Sequence, residues 1–199
     1  MTENPVRFGT DGWRAIIADT FTFANVRACA RATADHFAET YGRDRHVVVG
    51  FDTRFLSDRF AEAAAEVIAA AGFRVVLADR PSPTPAISHH IVASGACGGL
   101  VITSSHNPYQ WNGVKVKPHY GGSASPEVVA DIERRVPAIL DGGPIDDRPA
   151  QRGIERFDPL PGYLTALGAL AIPSSWRESA ESTDCFIRRS GKMFYPTSQ

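Results

Sequence analysis

A cluster of hydroxyl, imidazole and amine side chains occupies the middle of the chain. Residues 103–108 read Thr-Ser-Ser-His-Asn-Pro and follow an apolar run, residues 100–102, that is typical of a buried strand. A second strand-like run, residues 112–117, comes next and carries Lys115. A hydroxyl at the end of a strand can carry a phosphoryl group, and a nearby cation can offset the charge of that group in transit. The spacing therefore favours phosphoryl transfer.

Two interpretations of the serines in this run stay open from the residues alone. Ser105 is the candidate for the phosphate carrier. Alternatively, Ser104 and Ser105 only cap a turn before the Asn107-Pro108 pair. His106 follows Ser105 directly, and neighbouring side chains on an extended segment point apart, so no hydrogen bond between the two is expected. His106 is instead expected to orient the loop or to assist proton transfer, with a purely structural role as the alternative.

Four segments of the chain together resemble one enzyme family. Residues 103–108, followed by Asn112-Gly113-x-Lys115, resemble the phosphoserine loop of the α-D-phosphohexomutases, the phosphoglucomutase/phosphomannomutase superfamily. Residues 8–14 (Phe-Gly-Thr-Asp-Gly-Trp-Arg) resemble its opening segment. Residues 49–54 (Val-Gly-Phe-Asp-Thr-Arg) and 83–86 (Pro-Thr-Pro-Ala) resemble its first long strand and its Pro-rich helix start. The four segments stand in the family's order, which makes the resemblance specific.

The resemblance implies an isomerase that acts as an intramolecular phosphotransferase. Such an enzyme moves a phosphoryl group between the 1- and 6-positions of a hexose phosphate, through a phosphoserine and a hexose bisphosphate. It implies that Ser105 is phosphorylated in advance, that Lys115 lies beside the phosphate, and that Arg14 reaches the active site. His106 completes the catalytic set that the resemblance implies. Lys115 could otherwise be a solvated lysine on an edge strand, which is the role expected for Lys117.

Magnesium is the cofactor that the resemblance implies, held in part by Ser105 through its phosphate. The family's other ligands come from an Asp-Gly-Asp-Gly-Asp-Arg type loop, and no such loop is present in the sequence. The sugar-recognition and distal phosphate loops of the family are also not found. We therefore expect this chain by itself to lack turnover, because positioning and electrostatics supply most of the catalysis of phosphoryl transfer. The alternative is a non-catalytic remnant of the same fold that binds phosphate or a partner.

The alternation of helical and strand-like segments predicts the fold. Helices are expected after Thr22, Ser57, Thr84 and Ser125, each a residue that can begin a helix. Strands are expected at residues 46–51, 73–78, 98–103 and 113–117. This order predicts a three-layer α/β/α domain with a mixed, largely parallel sheet, whose last two strands form an antiparallel or mixed edge. Arg14 is expected in a turn-like segment before the first helix.

The domain boundaries follow from composition. Residues 1–140 are expected to form the phosphoserine domain and residues 141–153 a linker. Residues 154–172 are expected to begin a second, truncated domain, and residues 173–199 to form a disordered tail without resemblance to the family. A truncated or frameshifted coding sequence, or a natural single-domain relative, would each account for this pattern.

Composition limits the partners and the compartment. The net charge of −1 gives no reason to expect nucleic acid, and no apolar run approaches the roughly 20 residues of a membrane span. The three cysteines, Cys29, Cys97 and Cys185, are expected to be free thiols, which favours the cytoplasm. A hexose phosphate is the expected substrate, with glucose, mannose and glucosamine left open. Weak self-association is expected where further domains would dock. A serine hydrolase is disfavoured because no Gly-x-Ser-x-Gly segment occurs.

Overall fold

The computed structural model describes residues 4–9, 11–146 and 153–171. The chain divides into two compact units, Met1–Tyr163 and Leu164–Gln199. The tail expected at residues 173–199 lies outside the described residues, as do Cys185 and residues 147–152 of the expected linker. The first unit holds the sheet and the candidate site.

Strands and helices alternate through most of the described chain. The strands are β1 (Phe8–Gly9), β2 (Gly12–Ile16), β3 (Val47–Phe51), β4 (Val75–Ala78), β5 (Gly98–Ile102), β6 (Trp111–Pro118) and β7 (Ile154–Phe157). The helices are α1 (Phe23–Tyr41), α2 (Ser57–Ala70), α3 (Thr84–Ala93), α4 (Pro126–Asp141) and α5 (Leu160–Ala171). The four predicted helices and four predicted strands are all present, with ends shifted by a few residues.

All seven strands form one mixed sheet in the order β1-β2-β6-β5-β3-β4-β7. β5, β3, β4 and β7 pair in parallel, whereas β6 pairs antiparallel with both β5 and β2. The predicted mixed, largely parallel α/β fold is therefore confirmed. The expectation that β6 forms an edge is wrong, because β2 and β1 extend the sheet beyond it.

Helices cover both faces of the sheet. Neighbouring glycines in β5 reveal the two layers: an added Cβ at Gly98 would contact Phe37 of α1, and one at Gly99 would contact Ile91 of α3. α2 and α4 pack beside α1 on the first face. β3 is buried along its whole length, as expected for a strand between two helical layers. The three-layer α/β/α prediction is thus confirmed.

The first two helices begin in different ways. Thr22 caps α1, because its side-chain oxygen accepts the backbone N–H of Asn25 at 3.3 Å, and Gly42 ends the helix with a positive φ of 71°. Ser57, by contrast, is the first residue of α2 rather than its cap. Leu56 holds the cap position with φ of 58°, and the Ser57 hydroxyl is directed to Asp52 instead.

Two strands lie where the sequence predicted other structure. Arg14 lies in β2, which pairs with β6, and not in a turn-like segment. Residues 154–172 were expected to start a second domain, whereas Ile154–Phe157 forms β7 and pairs in parallel with β4. The sheet therefore continues past the expected linker.

Candidate active site

The loops that follow β3 and β5 lie side by side. Phe51 and Ile102, the last residues of these two parallel strands, pair with each other. The Asp52 backbone N–H donates to the Ile102 carbonyl at 3.1 Å, and this bond continues the pairing into the loops. Carboxyl ends of parallel strands are where open α/β sheets bind ligands. Residues 52–56 and 103–110 thus form the two sides of the candidate site.

Ser105 is exposed at the turn of its loop and has a left-handed backbone, with φ of 56°. Its backbone N–H donates to Thr103 Oγ1 at 3.0 Å. Its hydroxyl Oγ lies 3.4 Å from His106 Nδ1, within hydrogen-bond reach. The expectation that the two side chains point apart is wrong, because it assumed an extended backbone and Ser105 is not extended. Ser105 and His106 are therefore brought together.

Ser104 has the opposite environment to Ser105. It is fully buried, and its hydroxyl has no hydrogen-bond partner among the described residues. Its carbonyl accepts the backbone N–H of Asn107 at 3.1 Å, which closes the turn around Ser105. Ser104 cannot present its hydroxyl to a ligand in this conformation, so Ser105 is the serine of the pair whose side chain is accessible.

Arg54 contacts the Ser105 loop from the neighbouring loop. Its guanidinium donates four hydrogen bonds to backbone carbonyl oxygens of Ser105, Asn107, Pro108 and Trp111, at 2.7 to 3.0 Å. Asp52 lies 3.4 Å from Arg54 Nε, and its carboxylate also accepts the Arg54 backbone N–H. Arg54 was not among the site residues that the sequence predicted, since only folding brings it against a loop some fifty positions later.

Lys115 forms an ion pair with Asp11. Its Nζ donates to Asp11 Oδ2 at 2.5 Å, while Asp11 Oδ1 accepts the Ser123 hydroxyl at 2.7 Å. Burial raises the pKa of Asp11, but the hydrogen bonds from Lys115 and Ser123 and the charge of Lys117 outweigh it and lower that pKa to about 2. In the described part of the chain Lys115 makes no hydrogen bond to Ser105. Asp11 was missed as a site residue, although it stands in the opening segment that includes Arg14.

Lys117 is not the solvated edge-strand lysine that was expected. Its strand, β6, lies inside the sheet, and the residue is only 6% exposed. Its Nζ lies 3.5 Å from Asp11 Oδ1, so Asp11 balances both lysines. The two ammonium groups and one carboxylate leave a net positive charge on this part of the sheet.

Arg14 lies on the same face of the sheet as its cross-strand partner in β6. It pairs with Gly113 across β2 and β6, and residues paired across an antiparallel ladder share a face, as do alternate residues such as Gly113 and Lys115. Gly113 is needed here, because an added Cβ would contact the carbonyl oxygens of Trp13 and Thr103. Arg14 Nε is buried and has no hydrogen-bond partner among the described residues. A buried Nε–H without a partner is a donor that an anion could satisfy.

An open groove of about 500 Å³ leads to Ser105. Its lining includes Asn107, Phe55 and Tyr109 together with the Asp52–Arg54 turn. Phe55 is 69% exposed and Tyr109 is 89% exposed, which is unusual for large aromatic side chains. Both residues were missed from the sequence, where their only signal was an aromatic residue inside each turn of the site. The volume is in the range of small-molecule sites.

The described residues supply no complete metal site. They contain no group of three or more His, Cys, Asp or Glu side chains placed to hold a metal ion. Magnesium prefers carboxylates and phosphate oxygens, and the exposed Ser105 could offer only the latter once phosphorylated. The donor set within this part of the chain therefore does not by itself fit magnesium.

Comparison with known proteins identifies the family. Residues 5–141 match the family described as phosphoglucomutase/phosphomannomutase, alpha/beta/alpha domain I. The chain belongs to this family. The resemblance noted from the four sequence segments is thereby confirmed.

Three proteins similar to this chain show how much of a phosphoglucomutase/phosphomannomutase family member it covers. A phosphoglucomutase of Staphylococcus saprophyticus is 32% identical over 143 residues, covering 69% of this chain and 25% of the relative. A phosphoglucosamine mutase of Bordetella pertussis is 39% identical over 140 residues, covering 65% and 30%. A crystal structure of a Thermus thermophilus protein assigned as a phosphomannomutase has a TM-score of 0.75 and 40% identity, covering 86% and 37%. The chain thus spans between a quarter and just over a third of the length of these family members.

No helix within residues 4–9, 11–146 and 153–171 is long and apolar enough to cross a membrane. Cys29 and Cys97 are buried free thiols. Burial raises the pKa of the Cys29 thiol to about 12 and that of Cys97 to about 11, so neither is a reactive thiolate near neutral pH.

Proposed function

We propose that this chain is the catalytic-serine domain of a phosphohexomutase and that Ser105 carries the phosphoryl group. The observation that supports this most strongly is the geometry of Ser105, which is exposed, left-handed and within reach of His106 at the end of an open groove. Family membership supports the same reaction class. The reaction is an intramolecular transfer between the 1- and 6-positions of a hexose phosphate, through the phosphoserine and a hexose bisphosphate.

The other candidate residues have supporting roles in this proposal. His106 orients the Ser105 hydroxyl or moves a proton at Oγ. Arg14 supplies an incompletely paired guanidinium that can bind a phosphate with its fork of donors. Lys115 supplies a point charge, which is held by Asp11 until a more highly charged phosphate competes for it.

Magnesium is part of the proposal as the ion that would neutralise charge on the phosphoryl group. Ser105 would contribute one ligand through its phosphate. The remaining ligands would come from outside the described residues, because these hold no carboxylate cluster.

We further propose that this chain by itself does not turn over. Catalysis of phosphoryl transfer depends on several groups placed around the sugar and both phosphates, and the chain covers between a quarter and just over a third of its relatives' length. A coupled assay with glucose 1-phosphate, a catalytic amount of glucose 1,6-bisphosphate and Mg²⁺ tests this. No measurable product is expected, whereas turnover in the usual enzyme range of about 1 to 1000 per second would contradict it.

A non-catalytic domain that binds phosphate or a partner is the second candidate. The pairing of Lys115 with Asp11, rather than with the serine loop, is the observation that favours it. The two candidates differ in whether hexose bisphosphate leaves a covalent group on the protein. Reversible binding with no change in the intact mass of the chain would favour the second.

The proposal extends to the setting of the protein. The cytoplasm is the proposed compartment, supported by the two free thiols. The hexose is left open among glucose, mannose and glucosamine. Weak self-association through the leucines of α5 is also proposed, and light scattering over a range of protein concentrations would detect it as a rise in average mass.

A further inference from the structure

We propose that Arg54 is a positioning residue that fixes the backbone of the Ser105 loop and thereby holds Ser105 against His106. This role rests on the proposed function, because Ser105 is the residue that Arg54 would serve. Nothing in the family match or in the names of the relatives assigns a role to Arg54. Its position in the loop after β3 is far from Ser105 along the chain but adjacent to it in the fold.

The guanidinium of Arg54 donates hydrogen bonds to carbonyl groups at both ends of the loop. Nη2 donates to the carbonyl oxygens of Ser105 and Asn107, each at 2.7 Å. Nη1 donates to those of Pro108 and Trp111, each at 3.0 Å. A planar fork with donors in fixed directions can satisfy four carbonyls at once, which a lysine ammonium with three donors cannot. Each bond is charge-assisted and therefore stronger than a bond between neutral groups.

The loop needs this support because Ser105 has an unfavourable backbone conformation. A left-handed backbone is unfavourable for a residue other than glycine and persists only where its surroundings determine it. In an extended backbone, Ser105 and His106 would point apart. The left-handed turn brings Ser105 Oγ to 3.4 Å from His106 Nδ1. A carbonyl that is fixed at Ser105 therefore also fixes the approach of the two side chains.

Arg54 is itself held by a chain of polar groups that reaches β6. Asp52 accepts the Arg54 backbone N–H at 2.9 Å and lies 3.4 Å from its Nε. The Ser57 hydroxyl donates to Asp52 at 2.9 Å, and the buried Asn112 amide donates to the Ser57 hydroxyl at 2.9 Å. Asn112 follows Trp111, the last residue whose carbonyl group accepts a hydrogen bond from Arg54. These hydrogen bonds therefore connect Asn112, at the end of the loop, to Arg54, which binds the carbonyl groups of the loop.

The experiment is residue-resolved amide hydrogen exchange on the full chain with Arg54→Lys. The reporters are the amides of Ser105, Asn107 and Trp111, which donate to Thr103 Oγ1, Ser104 O and Pro108 O. We expect these three amides to exchange at least tenfold faster in the variant. The amide of Gly121, which closes a separate turn with Pro118, serves as an internal reference and should change less than twofold. Arg59→Lys is the matched control, because Arg59 is an exposed arginine of α2 that pairs with Glu62.

Two further measurements separate positioning from general support of the fold. Ethylguanidinium added to Arg54→Ala should restore slow exchange at the three reporters and leave the wild-type chain unchanged. The ¹⁵N signal of His106 Nδ1 should move in Arg54→Lys to the value that it has in Ser105→Ala, because both changes remove the contact with Ser105.

Wild-type exchange at the three reporters in Arg54→Lys would overturn the proposal. Acceleration of all amides together, including Gly121, would also overturn it, because the variant would then have lost global stability. None of these measurements requires phosphorylation. The two proposals can therefore fail separately. If Arg54→Lys gives the expected exchange pattern but Ser105 never accepts phosphate, the proposed function is refuted and the role of Arg54 is not.

Discussion

The two adjacent serines of the candidate site differ in exposure and in hydrogen bonding. Ser105 is exposed and has His106 within reach, whereas Ser104 is fully buried with an unpaired hydroxyl among the residues described. The order of the two residues therefore matters as much as their type. Their environments are set by the left-handed turn at Ser105, which directs one side chain inward and its neighbour outward.

Replacing Ser104 by alanine is expected to stabilise the protein. A buried hydroxyl without a partner costs about 1 to 3 kcal/mol relative to its hydrated state, and alanine removes that cost while leaving the Cβ in place. We expect the free energy of unfolding to rise by about 1 kcal/mol in urea denaturation. Ser105→Ala, which changes an exposed residue, is the control and should stay within about 0.5 kcal/mol of wild type. A loss of stability in Ser104→Ala would mean that its hydroxyl has a partner.

Asp11 is expected to make stability depend on pH in the acid range. The pKa of Asp11 is lowered from its ordinary value of 3.8 to about 2 in the folded protein. The stability that the ionised Asp11 contributes is therefore present well above pH 4 and is lost as the pH falls towards 2. Because a third of the side chain is exposed, we discount the shift and expect Asp11→Asn to lose about 1 kcal/mol at pH 7. Urea denaturation should show about half of that difference at pH 3.

The exposed Asp44 offers a matched control for Asp11. Asp44→Asn should leave the urea midpoint unchanged at both pH values. A difference between wild type and Asp11→Asn that is as large at pH 3 as at pH 7 would contradict the ion pair with Lys115.

Sequence patterns could propose Ser105, His106 and Lys115 as candidate site residues but not what surrounds them. Residue types and spacing identify a loop, whereas partners such as Asp11 and Arg54 are set by strand pairing. The contact between Ser105 and His106 was missed for a related reason, because a single positive φ reverses the direction that an extended chain would give.

At the level of elements, the long segments were predictable and the short ones were not. α1 and α2 have a long apolar stripe and β3 is continuously apolar, so local sequence decides their structure. β1 has two residues and β7 reads Ile-Glu-Arg-Phe, so neither shows a period long enough to identify it. These strands form because the edges of an existing sheet offer them hydrogen bonds. β2, which was also missed, matters to the site because it carries Arg14.

Close approach between β5 and its neighbours gives a test of the sheet. An added Cβ at Gly99 would overlap the Val48 carbonyl oxygen and the Ile91 side chain, and backbone cannot move away as a flexible side chain can. Gly99→Ala is therefore expected to lower the free energy of unfolding by about 2 kcal/mol, measured by urea denaturation. Gly9→Ala is the control, because its Cβ would make an ordinary contact at 3.7 Å with the Gly12 carbonyl oxygen. Equal stability of the two variants would contradict the close contact of Gly99 in β5 with the backbone of β3 and with α3.

At the scale of the whole molecule, the chain contains one part of what its relatives contain. The family match ends at residue 141, and the relatives are three to four times longer than the portion matched. The described residues hold an accessible serine, a clamped loop and an incompletely paired arginine, but no carboxylate cluster for a metal. We therefore propose that this chain holds the phosphoryl carrier and that groups outside its described part complete catalysis.

Phosphorylation of Ser105 is the most direct test of its proposed role as the phosphoryl carrier. The wild-type chain, Ser104→Ala and Ser105→Ala are each exposed to glucose 1,6-bisphosphate with Mg²⁺, followed by intact-mass measurement and peptide mapping. We expect a single phosphoryl group on Ser105 in the wild type and in Ser104→Ala, and none in Ser105→Ala. A phosphoryl group on Ser104, or an unchanged label in Ser105→Ala, would contradict the assignment.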